Sequence, residues 1–189
     1  HAGMVGRWLI EHLARIPVEV DLASEFRYRD PLVGGRTWAI AISQSGETAD
    51  TLAAAREARR RQSRLLAITN SIGSTLSREA EDLLYIRAGP EIAVASSKAY
   101  LAMLVALEML AVDLGLRRGT LSVEDASVLI SGLRGLPGKV QAALGQEERV
   151  ASLARRYRDV EHVFFIGRGL DYPVAMEGSL KLKEISYVH

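Results

Sequence analysis

The sequence predicts an α/β protein in which a doubly wound parallel sheet is flanked by helices. Short, largely apolar runs such as Trp38–Ser43 and Arg64–Thr69 alternate with longer segments of helical periodicity. These runs show no regular apolar–polar alternation, which indicates that both faces of each strand are buried. A parallel sheet covered by helices on both faces provides that burial, and its strand-to-helix turns meet at one edge.

The first elements follow from spacing and from turn residues. Residues 4–16 have an amphipathic helical pattern that Pro17 ends, and residues 18–22 are expected to form a short strand. Trp38–Ser43 is expected to be a buried strand because its apolar run leads directly into the turn sequence Ser-Gln-Ser-Gly. Residues 48–61, which are rich in Ala and Arg, then predict a helix.

Two more strands complete the predicted sheet. Arg64–Thr69 is predicted as the second buried strand and residues 83–86 as the third. Between them, Ser74 is a suitable N-cap for a short helix that runs to Ala80.

Residues 99–116 form the longest apolar stretch of the chain. Lys98, Glu108 and Asp113 lie in or beside it, and a charge near the centre of a membrane span costs about 2.5–3.5 kcal/mol. We therefore expect a helix buried inside a globular domain and no membrane partner.

The pattern changes after the long helix. Residues 115–148 indicate a helical connector, residues 163–166 predict another buried strand, and a helix is expected from about Pro173. A single strand–helix unit cannot bury its own faces, so it must pack on other sequence. The predicted division is therefore one domain over residues 1–145 and the beginning of a second over residues 146–189.

Composition excludes several kinds of site. Lys and Arg total 24 against 23 for Asp and Glu, so the net charge of +1 gives no general attraction to nucleic acid. The chain has no cysteine, which excludes disulfides, thiolate metal sites and a cysteine nucleophile. Its four histidines show no paired metal-ligand spacing, so neither a metal nor a cofactor is expected.

The strongest candidate site is the turn between the first buried strand and its helix. Four side chains supply donors there: the hydroxyls of Ser43, Ser45 and Thr48 and the amide of Gln44. Gly46 permits a sharp turn with positive φ, and the next helix begins with unpaired backbone N–H groups. Together these groups suit a phosphate monoester without Lys or Arg, with Glu47 pointing away. A serine-rich N-cap without a ligand is the alternative.

Two further polar features are candidates. Residues 95–98 place hydroxyls at the start of the long helix, where they could share a ligand with the first turn. Lys181 and Glu184 lie three residues apart on one face of the last helix, an arrangement suited to proton transfer beside a sugar carbonyl. An ordinary N-cap and a surface ion pair are the respective alternatives.

The segment SQSGETADTL, residues 43–52, resembles the phosphosugar-binding signature of sugar isomerase (SIS) domains. Three more segments resemble the glutamine–fructose-6-phosphate aminotransferase (isomerizing) family, also called glucosamine-6-phosphate synthases: ASEFRYR, EIAVASSK and FIGRGLDYPVAMEGSLKLKEISYVH. The likeness runs in the expected order through nearly the whole chain. It implies a SIS domain followed by the start of a second one.

This resemblance implies a reaction and roles for named residues. The family converts fructose 6-phosphate and glutamine-derived ammonia into glucosamine 6-phosphate for UDP-N-acetylglucosamine synthesis, and it implies a cytoplasmic homodimer. By the same likeness, the phosphate-binding positions are Ser43, Gln44, Ser45 and Thr48, the sugar-contacting positions are Val94 and Ser96, the base is Glu184 and its neighbouring lysine is Lys181.

The resemblance also implies that parts of the enzyme lie outside this chain. These parts are a Cys-Gly-Thr-Ser turn before His1, a ring-opening histidine after His189 from a neighbouring subunit, an imine-forming lysine and the glutaminase domain. We therefore expect a piece that binds ligand without turnover. Another SIS isomerase or deglycase and a non-catalytic sugar-phosphate sensor are the alternatives, although a sensor has no use for Glu184 as a proton shuttle.

Overall fold

The computed structural model describes residues 1–188 of the chain. Their helices are α1 (Ala2–Ala14), α2 (Ala23–Phe26), α3 (Ala49–Arg60), α4 (Thr75–Glu79), α5 (Lys98–Arg118), α6 (Val123–Arg134), α7 (Leu136–Leu144), α8 (Glu147–Arg156) and α9 (Asp171–Ser186). Their strands are β1 (Trp38–Ser43), β2 (Arg64–Thr69) and β3 (Asp82–Tyr85). Residue 189, the last of the second predicted domain, lies outside the described residues.

The three strands form one parallel sheet in the order β1-β2-β3. Their register places Ser43 opposite Thr69, and Thr69 opposite Tyr85. All three strands therefore end side by side, and the polar turns that follow them share one edge of the sheet. This edge is where the candidate site is built.

Helices cover both faces of the sheet, which confirms the predicted fold class. On one face, Leu65 and Ala67 of β2 pack in a cluster with residues of α3 and α4. On the other, Leu66 and Ile68 pack with residues of α1 and α5. Because successive side chains of a strand point to opposite faces, this double burial explains the continuous apolar run of β2.

Helix α5 is long because it spans the sheet and packs along α1. Close approach of the two helices depends on small residues: a Cβ on Gly6 would lie 2.8 Å from Leu107 Cδ2, and one on Gly115 would lie 2.9 Å from the carbonyl oxygen of Leu13. Among the described residues, α5 is the helix whose length and composition would suit a membrane span. Its buried residues Met103 and Leu107 instead pack against α1 and the sheet.

The strand predicted over residues 18–22 is wrong, because these residues form no strand. The N–H of Val18 donates to Glu11 Oε1 at 3.0 Å, and that of Leu22 donates to the carboxylate of Asp21. These two backbone N–H groups therefore donate to carboxylates and are not available for hydrogen bonds to a neighbouring strand. The preceding helix α1 ends at Ala14, two residues earlier than predicted, where the next residue adopts a left-handed backbone.

The strand predicted over residues 163–166 is also wrong, although the helix predicted after it forms as α9. Phe164 and Ile166 are 90% and 91% exposed. No other strand of the described chain lies beside this segment, and a strand needs a paired neighbour to form a ladder. An apolar composition alone is therefore not enough to make this segment a strand.

Residues 115–148 are largely helical, as the connector interpretation predicted. Helices α6, α7 and α8 follow one another, and Ser122 caps α6 by accepting a hydrogen bond from the N–H of Asp125. Residues such as Val128, Leu144 and Val150 are exposed on these helices. The division into two domains at residue 145 stays a prediction.

Candidate functional site

The turn after β1 is organised by its own hydroxyl groups. Ser43 Oγ accepts a hydrogen bond from the N–H of Gly46 at 3.1 Å and lies 3.2 Å from Thr48 Oγ1. Ser45 Oγ accepts from the N–H of Glu47 at 3.1 Å. The structure thus brings Ser43, Ser45 and Thr48 together in one turn, as the sequence predicted.

Gly46 is required at the centre of this turn for two independent reasons. Its φ is +66°, a left-handed conformation that disfavours residues with a side chain. In addition, a Cβ at this position would lie 2.2 Å from Ser74 Oγ and 3.0 Å from Thr69 Oγ1. The turn after β1 therefore packs directly on the end of β2 and the start of α4.

Backbone contacts hold the turn against its neighbours. The carbonyl of Gln44 accepts from the N–H of Asn70 at 3.0 Å and from Thr69 Oγ1 at 3.3 Å. The carboxylate of Glu47 accepts from the N–H of Thr75 at 2.7 Å, which commits it to the start of α4 and lowers its pKa. This is the outward placement predicted for Glu47, since a carboxylate among the hydroxyls would repel a phosphate.

Helix α3 begins directly after the hydroxyl turn. Its N-cap residue, Thr48, makes no side-chain bond to the first turn of the helix. The N–H groups at the start of α3 therefore lack a side-chain cap, and the helix dipole adds positive potential there. Hydroxyls, uncapped N–H groups and a tightly packed glycine together form an arrangement suited to a small anion.

A cleft of about 490 Å³ opens beside this turn at the carboxyl edge of the sheet. Its walls include Gln44 from the turn after β1, Asn70 from the turn after β2, and Arg87 and Glu91 from the segment after β3. Asn70 shapes the cleft, because its side chain donates to the carbonyl of Gly89 at 2.7 Å and accepts from the N–H of Ala88 at 2.8 Å. The cleft is large enough for a hexose phosphate.

The start of α5 is capped by Glu91. Its carboxylate accepts hydrogen bonds from the N–H of Ser97 at 3.0 Å, the N–H of Ala99 at 3.2 Å and the hydroxyl of Ser96 at 3.1 Å. The bond from the Ser97 N–H is the main cause that lowers the pKa of Glu91. Ser96 is therefore engaged with a cleft-wall residue, whereas the side chain of Val94 is 95% exposed.

Lys181 and Glu184 form a close pair on α9. Lys181 Nζ lies 2.5 Å from Glu184 Oε2 and 3.5 Å from Glu177 Oε1. Burial acts to lower the pKa of Lys181, but the hydrogen bond to Glu184 and the two carboxylate charges outweigh it, so the pKa is raised. Lys181 is thus a stable cation that keeps a positive charge beside Glu184.

Helix α9 is linked to β1 through contacts with the start of α1. Glu177 of α9 bonds to His1 at the start of α1, and Gly3 of α1 lies beside Ile42, the residue before Ser43. Within residues 1–188, no hydrogen bond or ion pair joins Lys181 or Glu184 directly to the hydroxyl turn. The structure therefore gives two separate groups: the turn with its cleft, and the α9 pair, which is linked to the start of α1 through Glu177.

No role is predicted from the sequence for Asn70, Glu91 or Glu177. Asn70 could have been found, because it follows β2 at the edge where the hydroxyl turn follows β1. Glu91 lies in a loop six residues before its main donor, so no helical or strand spacing marks it. Among residues 1–188, no group of three or more His, Cys, Asp or Glu could hold a metal ion.

The sequence of this chain is similar to those of known proteins. The profile of the SIS domain family matches residues 1–113. The glutamine–fructose-6-phosphate aminotransferases (isomerizing) of Caldanaerobacter subterraneus subsp. tengcongensis and Symbiobacterium thermophilum are each 59% identical over all 189 residues. This chain spans 31% of the length of either relative.

A solved structure shows the same fold. The C-terminal domain of glucosamine-fructose-6-phosphate aminotransferase from Francisella tularensis superimposes with a TM-score of 0.96 at 39% identity, covering 100% of this chain and 53% of that one. The resemblance noted in the sequence is confirmed by these likenesses. Since the family profile covers more than half of its residues, the chain belongs to the SIS domain family.

Proposed function

We propose that this chain is the hexose-phosphate-binding isomerase part of a glutamine–fructose-6-phosphate aminotransferase (isomerizing). The observation that carries the proposal is the hydroxyl turn at Ser43–Thr48, packed around Gly46 at the carboxyl edge of a parallel sheet. Identity of 59% over the whole chain to aminotransferases of that name supports it. The substrate class is a hexose 6-phosphate, fructose 6-phosphate entering and glucosamine 6-phosphate leaving.

The phosphate would be held by donors without a lysine or arginine. The donors would be the hydroxyls of Ser43, Ser45 and Thr48, the amide of Gln44 and the uncapped first N–H groups of α3. Hydrogen bonds to a charged acceptor contribute about 1.5–3 kcal/mol each. The sugar would then extend along the cleft past Glu91, and we propose that Val94 and Ser96 contact it.

Proton transfer would be carried by the pair on α9. An aldose–ketose shift needs one carboxylate that takes a proton from one carbon and returns it to the next, the role proposed for Glu184. Lys181, 2.5 Å away with a raised pKa, would supply positive charge near the developing enolate oxygen.

The chain spans less than a third of the length of these relatives, and we propose that the whole activity belongs to a longer protein. There we propose that a glutaminase part supplies ammonia and that a ring-opening histidine comes from a neighbouring subunit of a cytoplasmic homodimer. The product would enter UDP-N-acetylglucosamine synthesis. The isolated chain would bind hexose 6-phosphate without converting it.

Calorimetry and turnover test the proposal together. The isolated chain is titrated with glucose 6-phosphate and, as the matched control, with glucose, which lacks the phosphate. We expect heat of binding for the phosphate ester only. The full-length protein should make glucosamine 6-phosphate from fructose 6-phosphate and glutamine, while the isolated chain with added ammonia should not. Equal binding of both sugars, or turnover by the isolated chain, would contradict the proposal.

A further inference from the structure

A chain of polar contacts continues beyond the Lys181–Glu184 pair to the other end of the sequence. Glu177 Oε1 lies 3.5 Å from Lys181 Nζ, and Glu177 Oε2 lies 2.7 Å from His1 Nδ1. A carboxylate oxygen only accepts, so His1 Nδ1 carries the proton and donates to Glu177. One carboxylate thus connects the start of α1 to the lysine beside Glu184.

These contacts are shielded from water at their inner end. The side chains of His1 and Glu177 are 19% and 13% exposed, whereas that of Glu184 is 34% exposed. A hydrogen bond between groups so little exposed costs more to lose than one at the surface, because water replaces it poorly. The geometry therefore indicates a positioned carboxylate rather than a mobile surface ion pair.

We propose that His1 is a positioning residue that acts through Glu177 to keep Lys181 paired with Glu184. This inference rests on the proposed function, in which Glu184 is the base. His1 bonds to Oε2 of Glu177, and Oε1 of Glu177 lies 3.5 Å from Lys181 Nζ. The contact between Lys181 Nζ and Glu184 Oε2 is shorter, at 2.5 Å. The lysine is thereby left to the catalytic carboxylate.

Without the imidazole, the carboxylate of Glu177 would be free to turn toward Lys181. It would then compete with Glu184 for the ammonium group, since both lie within one helical turn of it on α9. The other titratable group close to this cluster is Tyr100 of α5, whose buried hydroxyl has no partner among the described residues. Burial, and secondarily the charge of Glu177, raise the pKa of Tyr100, so it stays a neutral phenol near neutral pH.

The test uses the full-length protein and three histidine variants. His1→Ala removes the donor, His1→Asn places an amide N–H close to the former Nδ1, and His12→Ala removes an exposed histidine of the same helix as the matched control. Steady-state kcat and KM for fructose 6-phosphate are measured across pH. Circular dichroism melting of each variant reports folding.

We expect His1→Ala to lower kcat by about tenfold with little change in KM, as for loss of a group that orients a catalytic residue. His1→Asn should recover most of kcat, and His12→Ala should match the wild type.

Two results would overturn the inference: a His1→Ala enzyme with unchanged kcat, or a His1→Asn enzyme with a kcat no higher than that of His1→Ala. If His1→Ala does not fold, His1→Leu replaces it, because leucine fills much of the space of the imidazole and also lacks a donor for Glu177. A wild-type protein that forms no glucosamine 6-phosphate would instead refute the proposed function, so the two failures are distinguishable.

Discussion

At the scale of single residues, Gly46 explains why the hydroxyl turn has its shape. It combines a left-handed backbone with contact against Ser74 and Thr69, so both conformation and space exclude a side chain. Its neighbours Ser43 and Ser45 accept the N–H groups of Gly46 and Glu47. Ser45 keeps its hydroxyl proton for another acceptor, whereas Ser43 and Thr48 share one hydrogen bond and so leave one of their two protons for a ligand. Each serine thus has a structural role beside the binding role proposed for it.

Gly46→Ala should destabilise the protein more than a glycine replacement with the same backbone and no crowding. Gly73 provides that control, since its φ is +73° and no atom lies within 4 Å of an added Cβ. We expect Gly73→Ala to lower the free energy of unfolding by about 1–2 kcal/mol and Gly46→Ala by about 1–3 kcal/mol more. Urea denaturation measures both, and equal losses would show that the turn is not packed as described.

Thr48→Val should weaken the binding of glucose 6-phosphate while preserving the shape of the side chain. Loss of one hydrogen bond to a charged acceptor corresponds to about a tenfold to hundredfold rise in Kd. Thr48→Ser, which keeps the hydroxyl, is the matched control and should bind nearly as the wild type does. If valine and serine at position 48 bind equally well by calorimetry, the hydroxyl of Thr48 does not contact the phosphate.

At the scale of elements, the start of α5 depends on a carboxylate outside the helix. Glu91 accepts from Ser96, Ser97 and Ala99, so it fixes both the cleft wall and the first turn of α5. The N-cap position itself, Ser97, makes no side-chain cap. The orientation of this cleft wall therefore follows the charge state of one residue.

Glu91→Gln should lower the free energy of unfolding by about 1 kcal/mol at pH 7, the usual loss for a helix N-cap. The pKa of Glu91 is lowered in the folded chain, so its contribution is present above the ordinary value of 4.5 and is lost as pH falls through the lowered pKa. The stabilities of the wild type and the variant should therefore converge as pH falls through this lowered pKa. Urea unfolding at pH 7 and at successively lower pH, with Glu161→Gln as an exposed control, checks this; a difference independent of pH would contradict it.

Elements with strong local signals could be predicted, and those that depend on partners could not. The bounds of Trp38–Ser43 and Arg64–Thr69 agree with the structure because apolar runs, turn residues and the Ser74 N-cap all indicate the same arrangement. Residues 163–166 have the same composition but no neighbouring strand in the described chain. This wrong prediction shows that pairing with a neighbouring strand, which depends on tertiary structure, decides whether an apolar run becomes a strand.

At the scale of the whole molecule, the parallel order of the sheet is what assembles the site. Ser43, Thr69 and Tyr85 end in register, so the turns after them enclose one cleft although they are distant in sequence. The first turn could be predicted from its residue types and its position after a strand. The roles of Asn70 and Glu91 could not, since they depend on contacts between separate loops.

Glu184→Gln in the full-length protein should separate binding from chemistry. The amide keeps the size of the side chain and removes the proton acceptor, so kcat should fall by about 10²–10⁴-fold, the usual contribution of a general base. Because the phosphate is held elsewhere, the Kd for glucose 6-phosphate should stay within about twofold of the wild-type value. Turnover that survives this substitution would remove Glu184 from the proposed role.

The most direct test of the account is a crystal structure of the full-length protein with glucose 6-phosphate bound. The account predicts phosphoryl oxygens at about 2.6–3.0 Å from the hydroxyls of Ser43, Ser45 and Thr48, with the sugar lying in the cleft beside Gln44. A phosphate seated elsewhere, with these hydroxyls bonded only to protein atoms, would contradict it.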